Sequence, residues 1–145
     1  MRCPSCGVAD PSGTKGTAVA EITLAVSRDV VAARQAVARV LKGRGLSAMR
    51  ITRFATAVSE IARNAIVHGG GGRISIYLDP GKAYLRVECR DDGPGIEDVT
   101  LAMTEGYTTA GGLGRGLGGA KRLSHDFEIR SAPGEGTTVS MSVKL

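Results

Sequence analysis

From residue 73 onward the chain is punctuated by two tight-turn signals, Asp79-Pro80-Gly81-Lys82 and Pro133-Gly134-Glu135-Gly136, each set between two short apolar runs. Proline presets φ for a turn and glycine supplies positive φ. Such tetrapeptides therefore join neighbouring antiparallel strands, not the long crossovers that parallel strands need. Residues 73–78 and 83–90 make one hairpin, and 126–132 and 137–143 a second. Residues 17–26 alternate well enough to form a first strand.

Two helical periods lie between that first strand and the hairpins. Asp29 is placed to cap a helix over 30–41, with Val30, Ala33, Val37, Val40 and Leu41 on one face and Gly43 and Gly45 ending it. A second helix starts near Ser47. It sets Ile51, Phe54, Ala55, Val58, Ile61, Ala62 and Ala65 at intervals of three and four, and stops at His68-Gly69-Gly70-Gly71-Gly72. A short third helix is expected over 117–124. One-sided helices need an apolar partner surface, which the sheet offers. The expected fold is α/β, a two-layer sandwich of a mixed, mostly antiparallel sheet with helices on one face.

At 145 residues and 42% hydrophobic, the chain can bury a core as one domain without staples. Aromatics are only 3%, with no Trp, so that core is aliphatic, and there is no stacking platform for single-stranded nucleic acid. A nucleic-acid role has no support. The net charge of +5 suits an anionic ligand or an acidic partner. No apolar run approaches the roughly 20 residues of a membrane span, and the N-terminus lacks the apolar stretch of a signal peptide. Cys3-Pro4-Ser5-Cys6 is half a zinc site with no second half, and Cys89 stands alone. A reduced, cytoplasmic protein is expected, with 1–16 a flexible tail and 17–145 the folded domain.

Three segments carry chemistry. Glu60 and Asn64 stand one helical turn apart, roughly opposite the apolar stripe. A solvated polar face explains such a pair; so does a neutral oxygen for Mg²⁺ at Asn64 beside a general base at Glu60. Asp91-Asp92-Gly93-Pro94-Gly95-Ile96 ends a strand. Gly93 and Gly95 permit a sharp turn and close approach to a flat ligand, and a carboxylate there can accept from an exocyclic amine such as that of adenine. A plain turn uses the same dipeptides.

The third segment, Gly111-Gly112-Leu113-Gly114-Arg115-Gly116-Leu117-Gly118-Gly119, precedes the short helix. Its bare N–H groups suit phosphates, with Arg115 and Lys121 adding charge, and a flexible linker is the alternative. Gly114, Gly116 and Gly119 satisfy GxGxxG, but they follow no strand and too little chain remains for a dinucleotide fold. No GxxxxGK[ST] occurs. Residues 97–113 lack a regular apolar period and are the candidate lid.

In this order the three segments resemble the N, G1 and G2 boxes of the GHKL ATPase superfamily, whose members bind ATP in a Bergerat-type sandwich. Gly134-Glu135-Gly136-Thr137-Thr138 resembles that family's last element. The resemblance implies ATP and Mg²⁺ as cofactors, with Glu60 as catalytic carboxylate and Asn64 as Mg²⁺ ligand. It implies an adenine-reading Asp91, further nucleotide contacts at Gly93, Gly95, Gly112, Gly114, Arg115, Gly116 and Leu117, and an assisting Thr137.

Within the superfamily, Asp29-Val-Val-Ala-Ala-Arg-Gln35, Ser59-Glu-Ile-Ala-Arg-Asn64, Gly106-Tyr-Thr-Thr-Ala-Gly-Gly-Leu-Gly114 and Lys121-Arg-Leu123 are similar to the RsbT-type serine/threonine kinases of bacterial stress signalling. That likeness implies a STAS-domain protein as substrate within a stressosome-like complex, and a PP2C-type phosphatase activated on release. The Cys-containing tail and Arg115 depart from the pattern. RsbW-type anti-sigma kinases and non-catalytic, nucleotide-regulated binding modules are the alternatives; the presence of both Glu60 and Asn64 argues for catalysis. A sensor histidine kinase would need a helical hairpin with a phosphoacceptor histidine, for which there is no room.

Overall fold

The computed structural model describes residues 16–79, 81, 83–96, 98, 99, 103 and 117–145. The elements are β1 (Thr17–Leu24), α1 (Ser27–Gly43), α2 (Ala48–Val67), β2 (Gly72–Asp79), β3 (Tyr84–Asp91), α3 (Leu117–Arg122), β4 (Asp126–Ser131) and β5 (Thr137–Lys144). Both expected hairpins form. The strands lie in the order β1-β2-β3-β5-β4. All four pairings are antiparallel, so the sheet expected as mixed has no parallel pair among the described strands.

Period-two alternation divides the sheet into two faces. Ile74 and Ile76 on β2, Leu85, Val87 and Cys89 on β3, and Val139, Met141 and Val143 on β5 all point to the helices and are buried. The other face carries Glu21, Arg73, Arg86, Glu88, Arg90, Glu128 and Arg130, a charged ladder that keeps it wet. The helix layer supplies Val30, Ala33, Val37 and Leu41 from α1, and Phe54, Val58, Ile61, Ala62 and Ala65 from α2. Each large apolar side chain buried here contributes about 1.5–3 kcal/mol. Phe54 is fully buried, and truncating it to Ala would cost on the order of 3–5 kcal/mol.

The helix ends follow from local chemistry, with one difference from expectation. Asp29 does not precede the first helix but sits inside its first turn. The helix starts at Ser27, and the Asp29 carboxylate accepts from the backbone N–H of Ala25 (2.9 Å) and Val26 (3.0 Å). Val26, at the cap position, has no acceptor in its side chain, so Asp29 does the capping from behind. Those two N–H bonds hold its carboxyl below the usual range. The same bonds end the first strand at Leu24, two residues before the sequence pattern does. Ser47 caps α2 as expected, its hydroxyl accepting from the Arg50 N–H at 3.2 Å.

At the other end of α2, the N–H groups of Gly69 and Gly71 both reach the Ala65 carbonyl, at 3.0 and 2.9 Å. Gly70 and Gly71 take φ of 76° and 115°, which turns the chain sharply into β2. No helix among the described residues is long and apolar enough to cross a membrane. The expected tail, apart from Gly16, lies outside the described residues.

Candidate nucleotide-binding site

The site forms where the apolar face of the sheet runs out. Cys89 pairs with Val139 across β3 and β5; two residues on, Asp91 pairs with Gly72 on one side and Thr137 on the other, and Thr137 pairs with Ser131. Alternation keeps Asp91, Thr137 and Ser131 on the helix side. The polar row Asp91–Thr137–Ser131 thus caps an aliphatic floor, and α2 stands over both.

Between them lies a pocket open to solvent. Ile61, Ala65 and His68 line it from α2, Cys89 and Val139 from the floor, and Ile96 and Leu117 from the far side. Asp91, Thr137, Gly95 and Asn64 supply its polar atoms. The shape is an apolar slot with a carboxylate at its end, suited to a flat heteroaromatic ring bearing an amine.

Electrostatics agree with that reading. Burial pushes the Asp91 carboxyl above its ordinary range, opposed by N–H bonds from Gly93 and Thr137, with the neighbouring Asp92 charge adding a smaller upward push. The Gly93 N–H meets Oδ1 at 2.9 Å. A half-buried carboxylate incompletely compensated by the protein wants another donor. The Cys89 thiol is pushed up to about 12, by burial first and then by Asp91 and Glu88. It stays protonated, 3.7 Å from the Ile61 carbonyl, and serves as apolar wall, not as a nucleophile.

Bare backbone makes the slot possible. Gly69 is packed against Asp91 so closely that a Cβ there would lie 2.4 Å from the Asp91 Cγ. Gly93 stacks on Gly69 in turn; its Cβ would meet the Gly69 Cα at 2.5 Å. Gly95 has φ of 79°, and a side chain would strike the Ala132 carbonyl at 2.0 Å. The loop after β3 is pinned by Ser131. The Ser131 hydroxyl donates to the Gly136 carbonyl (2.8 Å) while accepting from the Ile96 N–H (2.8 Å), and lies 2.8 Å from the Thr137 hydroxyl. With its single proton committed to Gly136, Ser131 accepts from Thr137, whose free lone pairs are left for a ligand donor.

Asn64 and Glu60 part company. Asn64 is half-buried in the pocket wall, not opposite the apolar stripe, and its buried Nδ2 has no hydrogen-bond partner among the described residues. The two ends of an amide are exchanged by a half-turn about its last torsion. The same position then presents a neutral oxygen, the donor type Mg²⁺ takes beside phosphates. Glu60, a turn earlier, is not in the pocket lining; its carboxylate pairs with Arg63 at 3.3 Å. Gly93 serves the site through its N–H to Asp91.

Gly112, Gly114, Arg115 and Gly116 lie outside the described residues, as does the candidate lid 97–113 apart from Asp98, Val99 and Met103. Sequence reasoning missed His68, Gly69 and Ser131 as site residues, and gave Gly136 only as part of a turn and of the last-element resemblance. In the sequence His68 and Gly69 carry only a helix-stop signal, and no local signal marks Ser131, whose partners are five, six and 35 residues away.

The chain resembles known proteins along most of its length. Residues 23–143 match the family described as histidine kinase-like ATPase domain. The serine/threonine-protein kinase RsbT of Bacillus subtilis (strain 168) is 44% identical over 113 residues, spanning 77% of this chain and 85% of that protein. An anti-sigma F factor of Clostridium novyi (strain NT) is 33% identical over 129 residues, 84% of this chain and 90% of the relative. The crystal structure of the RsbU and RsbW domains of a Mycobacterium tuberculosis protein superposes with a TM-score of 0.62 at 22% identity. It covers 87% of this chain and 31% of that one, and speaks to the fold alone.

Proposed function

Because the chain belongs to the histidine kinase-like ATPase domain family, we propose that its pocket binds Mg-ATP and that it is a serine/threonine kinase of bacterial stress signalling. Its substrate is a STAS-domain protein, and once released from that partner it activates a PP2C-type phosphatase. The observation that carries the nucleotide assignment is the half-buried Asp91 at the end of an aliphatic slot. The 44% identity to RsbT over most of both chains supports the kinase assignment.

Ile61, Ala65, Cys89 and Val139 would hold the adenine. Asp91 would accept from its exocyclic amine through the oxygen not engaged by Gly93, with Thr137 assisting. Asn64 would hold Mg²⁺, which when bound neutralises charge on the phosphate oxygens. Gly112, Gly114, Arg115, Gly116 and Leu117 would serve the phosphates.

Glu60 takes the proton from the partner's hydroxyl. That oxygen forms a bond to the γ-phosphorus, the bond from the γ-phosphorus to the β–γ bridging oxygen breaks, and ADP leaves. The Arg63 pair does not lock Glu60: Arg63 is 53% exposed and Glu60 30%, and such surface pairs contribute about 0.2–1 kcal/mol. Most of the acceleration comes from positioning and charge stabilisation, since phosphoryl transfer needs little covalent help.

The test is direct. Purified protein with Mg-ATP should phosphorylate a STAS-domain protein from its own genome on one hydroxyl, read by mass spectrometry, and should then release it. The anti-sigma F relative, matching 84% of this chain, keeps a second reading in view. Stoichiometric recovery of a sigma factor, with no STAS-domain protein phosphorylated, would replace the first reading with an anti-sigma one.

A further inference from the structure

Charge is unevenly divided along the chain. Residues 30–59 hold six of the 19 basic residues, Arg34, Arg39, Lys42, Arg44, Arg50 and Arg53, and none of the 14 acidic ones. The remaining residues carry 13 basic against 14 acidic side chains, so this one segment accounts for all of the +5. It is α1 after its first turn, where Arg28 and Asp29 balance each other, together with the first part of α2, in the helix layer of the sandwich.

All six cations are exposed, and none forms an ion pair with another described residue. Arg50 donates to the Lys144 carbonyl. Elsewhere the described surface mixes its charges: the open sheet face sets Glu21, Glu88 and Glu128 in the row next to Arg73, Arg90 and Arg130. Repulsion among unneutralised cations weakens a fold, so a single-sign face calls for a counterpart.

Two exposed apolar side chains sit among these cations, Val31 at 39% and Met49 at 73%. An apolar anchor within a charged rim is the anatomy of a protein interface. The face offers no aromatic side chain for stacking on bases, and its main apolar stripe is spent on the core, leaving none to enter a bilayer. Its near end lies toward the pocket. Leu24 pairs with Gly72, which pairs with Asp91, and α1 starts three residues after Leu24. The basic face begins about 10 Å along α1 from there, at Arg34, and runs away from the pocket to Arg50, which bonds the Lys144 carbonyl opposite Tyr84.

We propose that the outer face of α1 and the start of α2 is the docking surface for an acidic protein partner, holding it with its acceptor hydroxyl over the nucleotide pocket. This deepens the kinase reading and rests on it for the partner's identity. The face binds and orients; it does no chemistry.

The test uses the full chain and its Arg34→Glu/Arg39→Glu variant, with Arg34→Lys/Arg39→Lys as the charge-conserving control. ADP affinity, by calorimetry, should be the same in all three. The KM for the STAS-domain substrate should rise at least roughly tenfold in the Glu variant with kcat unchanged, and the Lys variant should keep the wild-type KM. Fluorescence anisotropy with labelled poly-glutamate provides a readout independent of any kinase activity: affinity should fall by a similar factor in the Glu variant. If no STAS-domain protein is phosphorylated by the wild type, the kinase reading fails, and the poly-glutamate result decides this one. Substrate KM or poly-glutamate affinity unmoved by charge reversal would overturn the docking face. Tighter binding to a labelled DNA duplex or to phosphatidylserine vesicles than to poly-glutamate, lost in the Glu variant, would overturn it in favour of those partners.

Discussion

Replacing Asp91 by Asn changes one atom and one charge at the end of the slot, and it should move binding and stability in opposite directions. In the wild type, Oδ1 accepts the Gly93 N–H at 2.9 Å, and a further bond comes from the Thr137 N–H. Asn keeps one carbonyl oxygen that can retain Gly93, but it turns an amide NH₂ toward the adenine amine, donor against donor. A hydrogen bond to a charged group is worth about 1.5–3 kcal/mol, so ATP and ADP affinity should fall roughly 10- to 150-fold.

Stability should go the other way. Burial raises the Asp91 carboxyl above its ordinary range, so the ionised form is less favoured in the folded chain than in the unfolded one. The stability contributed by its protonated form is complete below the ordinary carboxylate range and is lost as pH rises through the raised folded value. Asn carries no such charge at any pH. Without ligand, the variant should melt with the wild type at the acid end and increasingly above it once pH passes about 4. Calorimetry on the folded variant measures the first effect, and melting curves across pH the second. Unchanged ADP affinity would refute the adenine assignment, whatever the melts show.

Asn64→Ala should abolish the Mg²⁺ dependence of nucleotide binding, whereas Glu60→Gln should bind normally and lose on the order of 10²–10⁴ in transfer rate; a wild-type rate in single-turnover assays would leave Glu60 a solvated helix residue. Gly69→Ala would place a Cβ 2.4 Å from the Asp91 Cγ and 2.7 Å from the Ala65 carbonyl oxygen, and should lower both nucleotide affinity and the melting temperature. Equal affinity in a titration would show that Asp91 moves aside freely. Deleting residues 1–15 should leave melting temperature and nucleotide binding unchanged, because the first strand begins at Thr17; stoichiometric zinc in the full chain, lost with Cys3→Ser, would contradict this.

What could be read from the chain was what local physics decides. The periods of α1 and α2 gave the buried faces because a helix in a two-layer sandwich has one neighbour layer and must spend its apolar stripe on it. The turn tetrapeptides gave the hairpins because proline and glycine restrict φ regardless of context. Asp91, Gly93 and Gly95 were legible for the same reason: an acid before a turn-forming pair is a local event. Two things were not local. Ser131 acts only because register brings it beside Thr137 and within 2.8 Å of the Ile96 N–H, and a strand serine carries no sign of that. Gly69 is required by the Asp91 side chain, a contact between the end of a helix and the end of a strand that no period encodes. Asn64 shows how the two kinds of information combine. Its spacing from Glu60 is sequence, but an amide nitrogen buried in the pocket wall with no partner among the described residues is a fact of packing. Leaving such a group unpaired costs about 1–3 kcal/mol. Turning the oxygen toward a cation moves the nitrogen out of that position, so the pairing of Asn64 is decided by what meets it in the pocket and not by its spacing from Glu60.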